Sequence, residues 1–118
     1  VVIVDDNPIS VYLTTEIISD ANIDCKIIEF IDANEALHYL TVNGDDFIVL
    51  LDLNMPLMSG WDFVEACKIN GLRPEVHILS SSVNPLDVEK VQKYDFVKSF
   101  LSKPLDVSEL LKCDELPN

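Results

Sequence analysis

The sequence predicts a doubly wound α/β domain built around a central parallel sheet. Short apolar runs rich in valine and isoleucine alternate with segments of helical periodicity, and these runs cover residues 1–4, 47–51, 76–79 and 96–101. Continuous apolar runs of this length are typical of strands buried on both faces, as in parallel sheets. Strands that alternate with helices at this spacing favour a doubly wound sheet.

Helix start and stop signals define the elements between these runs. Asn7-Pro8 supplies an N-cap and a proline at the first helical position, so the first helix is predicted over about 8–21. Asn43-Gly44 ends the second helix, which begins at Ala33. The other predicted elements, in chain order, are a strand over about 26–31, helices near 61–70 and 85–94, and a last helix over about 107–113.

Each apolar run leads into a side chain with polar chemistry. The set comprises Asp5, Asp6, Asp52, Ser80 and, after Ser102, Lys103. The carboxyl ends of parallel strands share one edge of the sheet, where ligands bind. We therefore expect three carboxylates, a hydroxyl and an ammonium to converge on one pocket.

Composition narrows the classes of function. At 118 residues we expect one domain, and no apolar run approaches the roughly 20 residues that span a bilayer. A net charge of −13 with only eight Lys and Arg argues against direct nucleic-acid binding. Three widely spaced cysteines without a C-x-x-C pair predict reduced thiols and a cytoplasmic protein. His77, inside an apolar strand, is expected to be a hydrogen-bonded structural residue.

The predicted carboxylate cluster indicates a metal site. Three neighbouring carboxylates repel one another, so they favour a positive group among them. A site rich in oxygen and without thiols suits a hard cation, and Mg²⁺ takes one or two carboxylates while keeping waters and phosphate oxygens. The alternative, helix-capping acids and a loop aspartate, stays open at this point.

Several motifs in order resemble the receiver domain of two-component response regulators. They are the pair Asp5-Asp6, the stretch Asp52-Leu53-Asn54-Met55-Pro56 followed by Gly60, the Ser80 position, and Phe100 before Lys103-Pro104. The resemblance covers residues 1–118 and implies a single receiver domain without an effector domain. It also implies a flavodoxin-like (βα)5 fold with strand order 2-1-3-4-5, which agrees with right-handed crossovers, and a cis Lys103-Pro104 peptide.

The resemblance assigns a role to each site residue. It implies Mg²⁺ bound directly by Asp6 and Asp52, by the Asn54 carbonyl, and by Asp5 through water. Asp52 would accept the phosphoryl group, with Lys103 and Ser80 binding its oxygens. Phe100 holds the family's aromatic switch position without a phenolic hydroxyl. Asn54 and Ser82 occupy positions that tune phosphoryl lifetime, and neither offers an acidic base.

The function implied is a signalling phosphoacceptor rather than an enzyme acting on other molecules. The donor would be a sensor histidine kinase or phosphotransfer protein. The fourth helix, fifth strand and fifth helix would present the switched surface to a downstream protein, with no direct contact to nucleic acid or membrane.

Two alternative functions fit the sequence less well. A magnesium-dependent phosphatase like those of the haloacid dehalogenase superfamily needs a second aspartate two residues after its nucleophile, where this chain has Asn54, which cannot donate a proton in that role. A degenerate receiver that only docks partners is opposed by the intact Asp52, Ser80 and Lys103.

Overall fold

Five parallel strands form one sheet in the order β2-β1-β3-β4-β5. The structure is a computed structural model, and it describes residues 1–21, 25–55, 58–81 and 84–108. The strands are β1 (Val2–Val4), β2 (Ile28–Phe30), β3 (Ile48–Leu51), β4 (Glu75–Ser80) and β5 (Val97–Ser102). The predicted doubly wound, flavodoxin-like α/β fold and its strand order are confirmed.

Four α-helices lie among the described residues. They are α1 (Pro8–Asp20), α2 (Ala33–Asn43), α3 (Gly60–Ile69) and α4 (Pro85–Lys90), and a 3-10 turn (Val91–Lys93) follows α4. The predicted cap of α1 is confirmed, because the Asn7 side chain accepts hydrogen bonds from the backbone N–H groups of Ile9 and Ser10. Gly44, with a φ of 89°, ends α2 as expected.

Two apolar clusters pack on opposite faces of the sheet. Alternate residues of β1 divide between them, because successive side chains of a strand point to opposite faces. Val2 and Val4 join residues of α2 and α3, whereas Ile3 joins residues of α1 together with Leu105. The sheet is therefore covered on both sides, as the apolar runs predicted.

The length of α4 and the burial of β5 differ from the sequence-based expectation. The predicted helix over 85–94 is an α-helix only to Lys90, and α4 has no buried residue, because Leu86 and Val88 do not form an apolar stripe facing the sheet. β5 is an edge strand, and Lys98 and Ser102 on it are exposed, so it is not buried on both faces. Most of the last predicted helix, over 107–113, lies outside the described residues, as do Ser82 and Cys113.

His77 is a structural residue, as predicted. Its side chain is fully buried, with Nδ1 2.6 Å from the Ser99 hydroxyl and Nε2 2.8 Å from a Glu75 carboxylate oxygen. Both ring nitrogens therefore have partners, and the residue links β4 to β5 beside a register shift between Val76 and His77.

Within the described ranges, no helix combines the length and apolar character needed to cross a membrane.

Candidate functional site

Three carboxylates meet where β1 and β3 end. The Asp52 N–H donates to the Val4 carbonyl at 2.9 Å, and the Asp5 N–H donates to the Phe30 carbonyl at 3.0 Å. The first of these bonds places the residues that follow β1 and β3 side by side. Asp5, Asp6 and Asp52 each offer a carboxylate oxygen, and these oxygens lie within 4.8 Å of one another. The predicted convergence of the three carboxylates is confirmed.

Lys103 reaches the cluster from the end of β5. Its backbone N–H donates to the Ser80 carbonyl at 2.8 Å, and the following Lys103-Pro104 peptide is cis, as expected. Its ammonium donates to Asp5 Oδ2 at 2.9 Å and lies 3.9 Å from Asp52 Oδ2. One ammonium therefore borders two of the three carboxylates.

The two buried carboxyls are perturbed in opposite directions. Burial raises the pKa of Asp52, and this outweighs the opposing hydrogen bond from the Asn54 backbone and the charge of Lys103. Burial also acts to raise the pKa of Asp5. In Asp5, however, hydrogen bonds from the Asn7 backbone, the Ser10 side chain and Lys103 together prevail, so its pKa lies below the ordinary value. Asp5 is thus held as an anion more firmly than Asp52.

Gly60 fixes the loop that follows Asp52. Its N–H donates to the Leu53 carbonyl at 3.0 Å. A Cβ at Gly60 would lie 2.7 Å from the Asp52 carbonyl oxygen and 2.8 Å from Leu53 Cα. Backbone atoms cannot yield as a flexible side chain can, so only glycine allows α3 to begin this close to Asp52. The sequence marked Gly60 as part of a motif without revealing this contact.

The remaining predicted site residues lie around the cluster. Ser80 is buried at the end of β4, and Asn54 is exposed with its N–H 3.3 Å from Asp52 Oδ1. Phe100 is partly buried on β5, against the cluster that includes α2 and α3. Ser10 was not predicted from the sequence. Its position three residues after the Asn7 cap, in the first turn of α1, was the only available signal.

The donor set has a definite chemical preference. Carboxylate oxygens around one point are hard ligands, which suit a divalent cation that keeps part of its water shell. A cation at the carboxylates and the Lys103 ammonium would together offset negative charge on a ligand placed between them. The residues present therefore fit a divalent metal.

Known proteins resemble this chain over nearly its whole length. The sequence model of the family described as the response regulator receiver domain matches residues 1–113. A two-component response regulator from Cytophaga hutchinsonii has a TM-score of 0.84 and 28% identity, over 96% of this chain and 91% of that one. A response regulator receiver protein from Dyadobacter fermentans has a TM-score of 0.83 and 24% identity, over 94% and 91%, which supports the fold.

A third similar structure is that of a metal-bound protein. The Mn²⁺-bound form of response regulator Rcp1 has a TM-score of 0.74 and 28% identity, over 94% of this chain and 85% of that one. No curated protein sequence matches this chain. The family match spans far more than half of the chain, and the fold agrees with it. The chain therefore belongs to the response regulator receiver domain family.

Proposed function

We propose that this receiver domain is a magnesium-dependent phosphoacceptor whose Asp52 takes a phosphoryl group from a phosphohistidine. The observation that carries the proposal is the position of Asp52, which lies beside Asp5 and Asp6 and 3.9 Å from the ammonium of Lys103. A carboxylate oxygen of Asp52 attacks the phosphorus atom of the phosphohistidine. The N–P bond breaks, and the electron pair of that bond returns to the imidazole ring of the donor. Such a transfer depends mostly on positioning and charge neutralisation.

The metal site in this proposal uses the residues that end β1 and β3. Asp6 and Asp52 would bind Mg²⁺ directly, the Asn54 carbonyl would contribute a third protein oxygen, and Asp5 would act through water. The separation of the three carboxylates and the Mn²⁺-bound relative support a divalent cation at this cluster. When bound, the cation offsets the repulsion between Asp52 and an approaching phosphate.

Lys103 and Ser80 bind the oxygens of the transferred group. Lys103 is 20% exposed by side chain, so its ammonium can shift from Asp5 toward a phosphoryl oxygen without losing all its hydration. Ser80 ends the strand next to β3 and contributes a hydroxyl from β4. Both residues then stabilise negative charge opposite the metal.

Phosphorylation would be read out on the face formed by α4, β5 and the segment after β5. Movement of the Ser80 hydroxyl toward the phosphoryl group vacates space, and Phe100 can turn inward from its partly buried position. Full burial of a phenylalanine is worth roughly 1.5–3 kcal/mol, which is enough to bias a two-state loop. Phe100 lacks a hydroxyl, so packing alone drives this step.

The partners in this proposal are proteins. The donor is a sensor histidine kinase or phosphotransfer protein, and the output is contact with a downstream protein or transfer along a relay. Apolar side chains beside the site support docking of a protein donor, since Ile9 and Leu13 are 71% and 52% exposed and line a groove with Lys103 and Pro104. The free thiols of Cys25 and Cys67 support a cytoplasmic location.

The test is intact mass measurement after incubation with a small phosphodonor, with and without Mg²⁺. We expect one added phosphoryl group on the wild type, only with Mg²⁺, and none on Asp52→Asn. Asp46→Asn is the matched control, because Asp46 is an exposed aspartate just before β3, at the opposite end of that strand. Modification that survives Asp52→Asn or chelation would overturn the assignment. A folded protein that is never modified would instead act as a docking module.

A further inference from the structure

The helix α4 is held to the rest of the domain by little apolar contact. It has six residues, none of them buried, and its apolar residues Leu86 and Val88 are 67% and 41% exposed. A helix of this length is not stable in water without tertiary contacts. Specific side-chain contacts must therefore determine where α4 lies.

Trp61 of α3 supplies such contacts. Its indole Nε1 donates a hydrogen bond of 2.9 Å to Asp87 Oδ1, and the ammonium of Lys90 lies 5.8 Å from its ring centroid. Asp87 and Lys90 are both residues of α4. Tyr94, directly after the 3-10 turn, stacks on the same indole, with ring centroids 6.1 Å apart and planes 17° apart. We call Trp61, Asp87, Lys90 and Tyr94 the tryptophan latch.

The chemistry of these contacts suits a latch that can open. A hydrogen bond to a carboxylate is stronger than one between neutral groups, and a cation over an indole adds electrostatic attraction. Asp87 and Lys90 are only partly buried, so water can replace both partners when the helix moves. Tyr94 is anchored independently, since its hydroxyl donates to a Glu65 carboxylate oxygen at 2.7 Å. The Lys68 ammonium of α3 also lies 5.7 Å from the Tyr94 ring centroid, so the C-terminal end of the segment contacts α3 at three side chains.

The latch connects to the proposed phosphorylation site through a short stretch of backbone. Trp61 follows Gly60, whose N–H donates to the Leu53 carbonyl and where an added Cβ would lie 2.7 Å from the Asp52 carbonyl oxygen. Leu53 is the residue after Asp52. A displacement of the Asp52 loop therefore acts on the first turn of α3, and Trp61 in that turn contacts α4.

We propose that the tryptophan latch holds α4 against α3 in the unmodified protein and sets the free energy that modification of Asp52 must supply to move α4. This rests on the proposed function, because it concerns how that site reaches the α4 face. A route through the loop after β3 is separate from the route through Ser80 and Phe100. Weakening the latch destabilises the state in which α4 lies against α3. The free energy of the displaced state relative to it therefore falls, even in the absence of phosphate.

The first experiment examines the unmodified protein. The chain has a single tryptophan, so the indole N–H resonance belongs to Trp61 alone. In Asp87→Ala we expect exchange of this N–H with water to rise on the order of tenfold, and the ¹³Cα shifts of residues 85–90 to move toward random coil. Asp87→Asn keeps an oxygen acceptor and should fall between. Glu89→Ala, which removes one exposed acidic residue from the same helix, should match wild type.

Trp61→Phe provides a second variant, which keeps an aromatic ring at this position and removes the N–H donor. Its α4 shifts should resemble those of Asp87→Ala, while shifts in β1 and β3 stay as in wild type. If indole exchange in Asp87→Ala and the α4 shifts in both variants equal wild type, the latch does not hold α4 and the proposal is wrong.

The second experiment measures coupling with beryllofluoride and Mg²⁺ as a phosphoryl mimic. Asp87→Ala should bind the mimic several-fold more tightly, since less free energy is needed to move α4. An unchanged affinity, with α4 already loosened, would overturn the coupling. A wild-type protein without any response to beryllofluoride would overturn the proposed function and the coupling together. The first experiment would still decide separately whether Trp61 holds α4.

Discussion

The ammonium of Lys103 is hydrogen-bonded to Asp5, at 2.9 Å, and not to Asp52, from which it lies 3.9 Å. The lysine therefore stabilises the more acidic of the two buried carboxyls and forms only a longer ion pair, without a hydrogen bond, with Asp52. A cation bound at the carboxylates would compensate Asp5 and free the ammonium for a phosphoryl oxygen. Metal binding and the reorientation of Lys103 are expected to be coupled.

Lys103→Met should destabilise the metal-free protein, because Asp5 would lose a charged hydrogen-bond partner while staying buried. The expected loss is about 1–3 kcal/mol, measured by urea unfolding in chelator. The lowered pKa of Asp5 fixes the sign of the pH dependence. Its contribution is present above its ordinary pKa of 3.8 and is lost as pH falls through its folded value, so the difference between variant and wild type should shrink in acid.

Lys98→Met is the matched control for that measurement. Lys98 is also on β5, but its ammonium donates to the exposed Asp95 backbone carbonyl, 2.8 Å away. Its loss should change stability by no more than about 0.5 kcal/mol. Equal unfolding curves for Lys103→Met and Lys98→Met in chelator would contradict the role given to Lys103.

Asp52→Asn should stabilise the metal-free protein at neutral pH by on the order of 1 kcal/mol. The folded pKa of Asp52 is raised by burial, so ionisation opposes folding. This penalty is absent below the ordinary pKa of 3.8 and grows as pH rises through the folded pKa. The gain in Asp52→Asn should thus vanish in acid. Mg²⁺ should also raise the midpoint temperature of thermal unfolding in the wild type, and raise it less in the variant. Coincident wild-type melts with and without Mg²⁺ would exclude a metal site.

Gly60→Ala should impair phosphorylation by displacing the loop after Asp52. The added Cβ would lie 2.7 Å from the Asp52 carbonyl oxygen, so backbone must shift, at a cost of roughly 1–3 kcal/mol. Positional errors near 1 Å can reduce reaction rates by about a hundredfold. The rate of phosphorylation by a small donor should therefore fall by up to about a hundredfold in Gly60→Ala.

A matched glycine separates this effect from loss of stability. Gly44 has a φ of 89° with nothing within 4 Å of an added Cβ, so Gly44→Ala is strained but distant from Asp52. It should cost about 1–3 kcal/mol in unfolding free energy and leave the rate unchanged. Similar rates for the two variants would show that Gly60 acts only on stability.

The sequence was sufficient to predict the position of the carboxylates, because strand ends in a parallel sheet share an edge. Asp5 and Asp52 follow apolar runs that pair in the sheet, and their meeting follows from topology alone. The bond between Lys103 and Asp5 joins residues 98 positions apart. Whether Lys103 would prefer Asp5 or Asp52 depends on differences of about 1 Å, which no local pattern encodes.

The contacts of α4 were also beyond the reach of the sequence. Leu86 and Val88 form no apolar stripe against the sheet that would set its length, and Trp61 reaches Asp87 from 26 positions away. Tryptophan near the start of α3 gave no signal of that partner. By contrast, a lone histidine in an apolar strand implied satisfied ring nitrogens, and His77 has them in Ser99 and Glu75.

Cys67 should be inert toward thiol reagents in the folded protein. Burial, with a further effect from the charge of Asp45, raises the pKa of its thiol from 9.0 to about 12, and only the thiolate reacts. In the double variant Cys25→Ser/Cys113→Ser, Cys67 is the only thiol, since the chain has three cysteines. At about pH 8 we expect no reaction with an aromatic disulfide reagent until guanidinium unfolds the chain. A variant that keeps only the half-buried Cys25 should react in native buffer.

Because the pKa of the Cys67 thiol is higher in the folded than in the unfolded protein, its contribution to stability is present below pH 9.0 and is lost as pH rises through the folded value. Rapid labelling of Cys67 under native conditions would mean that α3 opens from the sheet far more often than its packing allows.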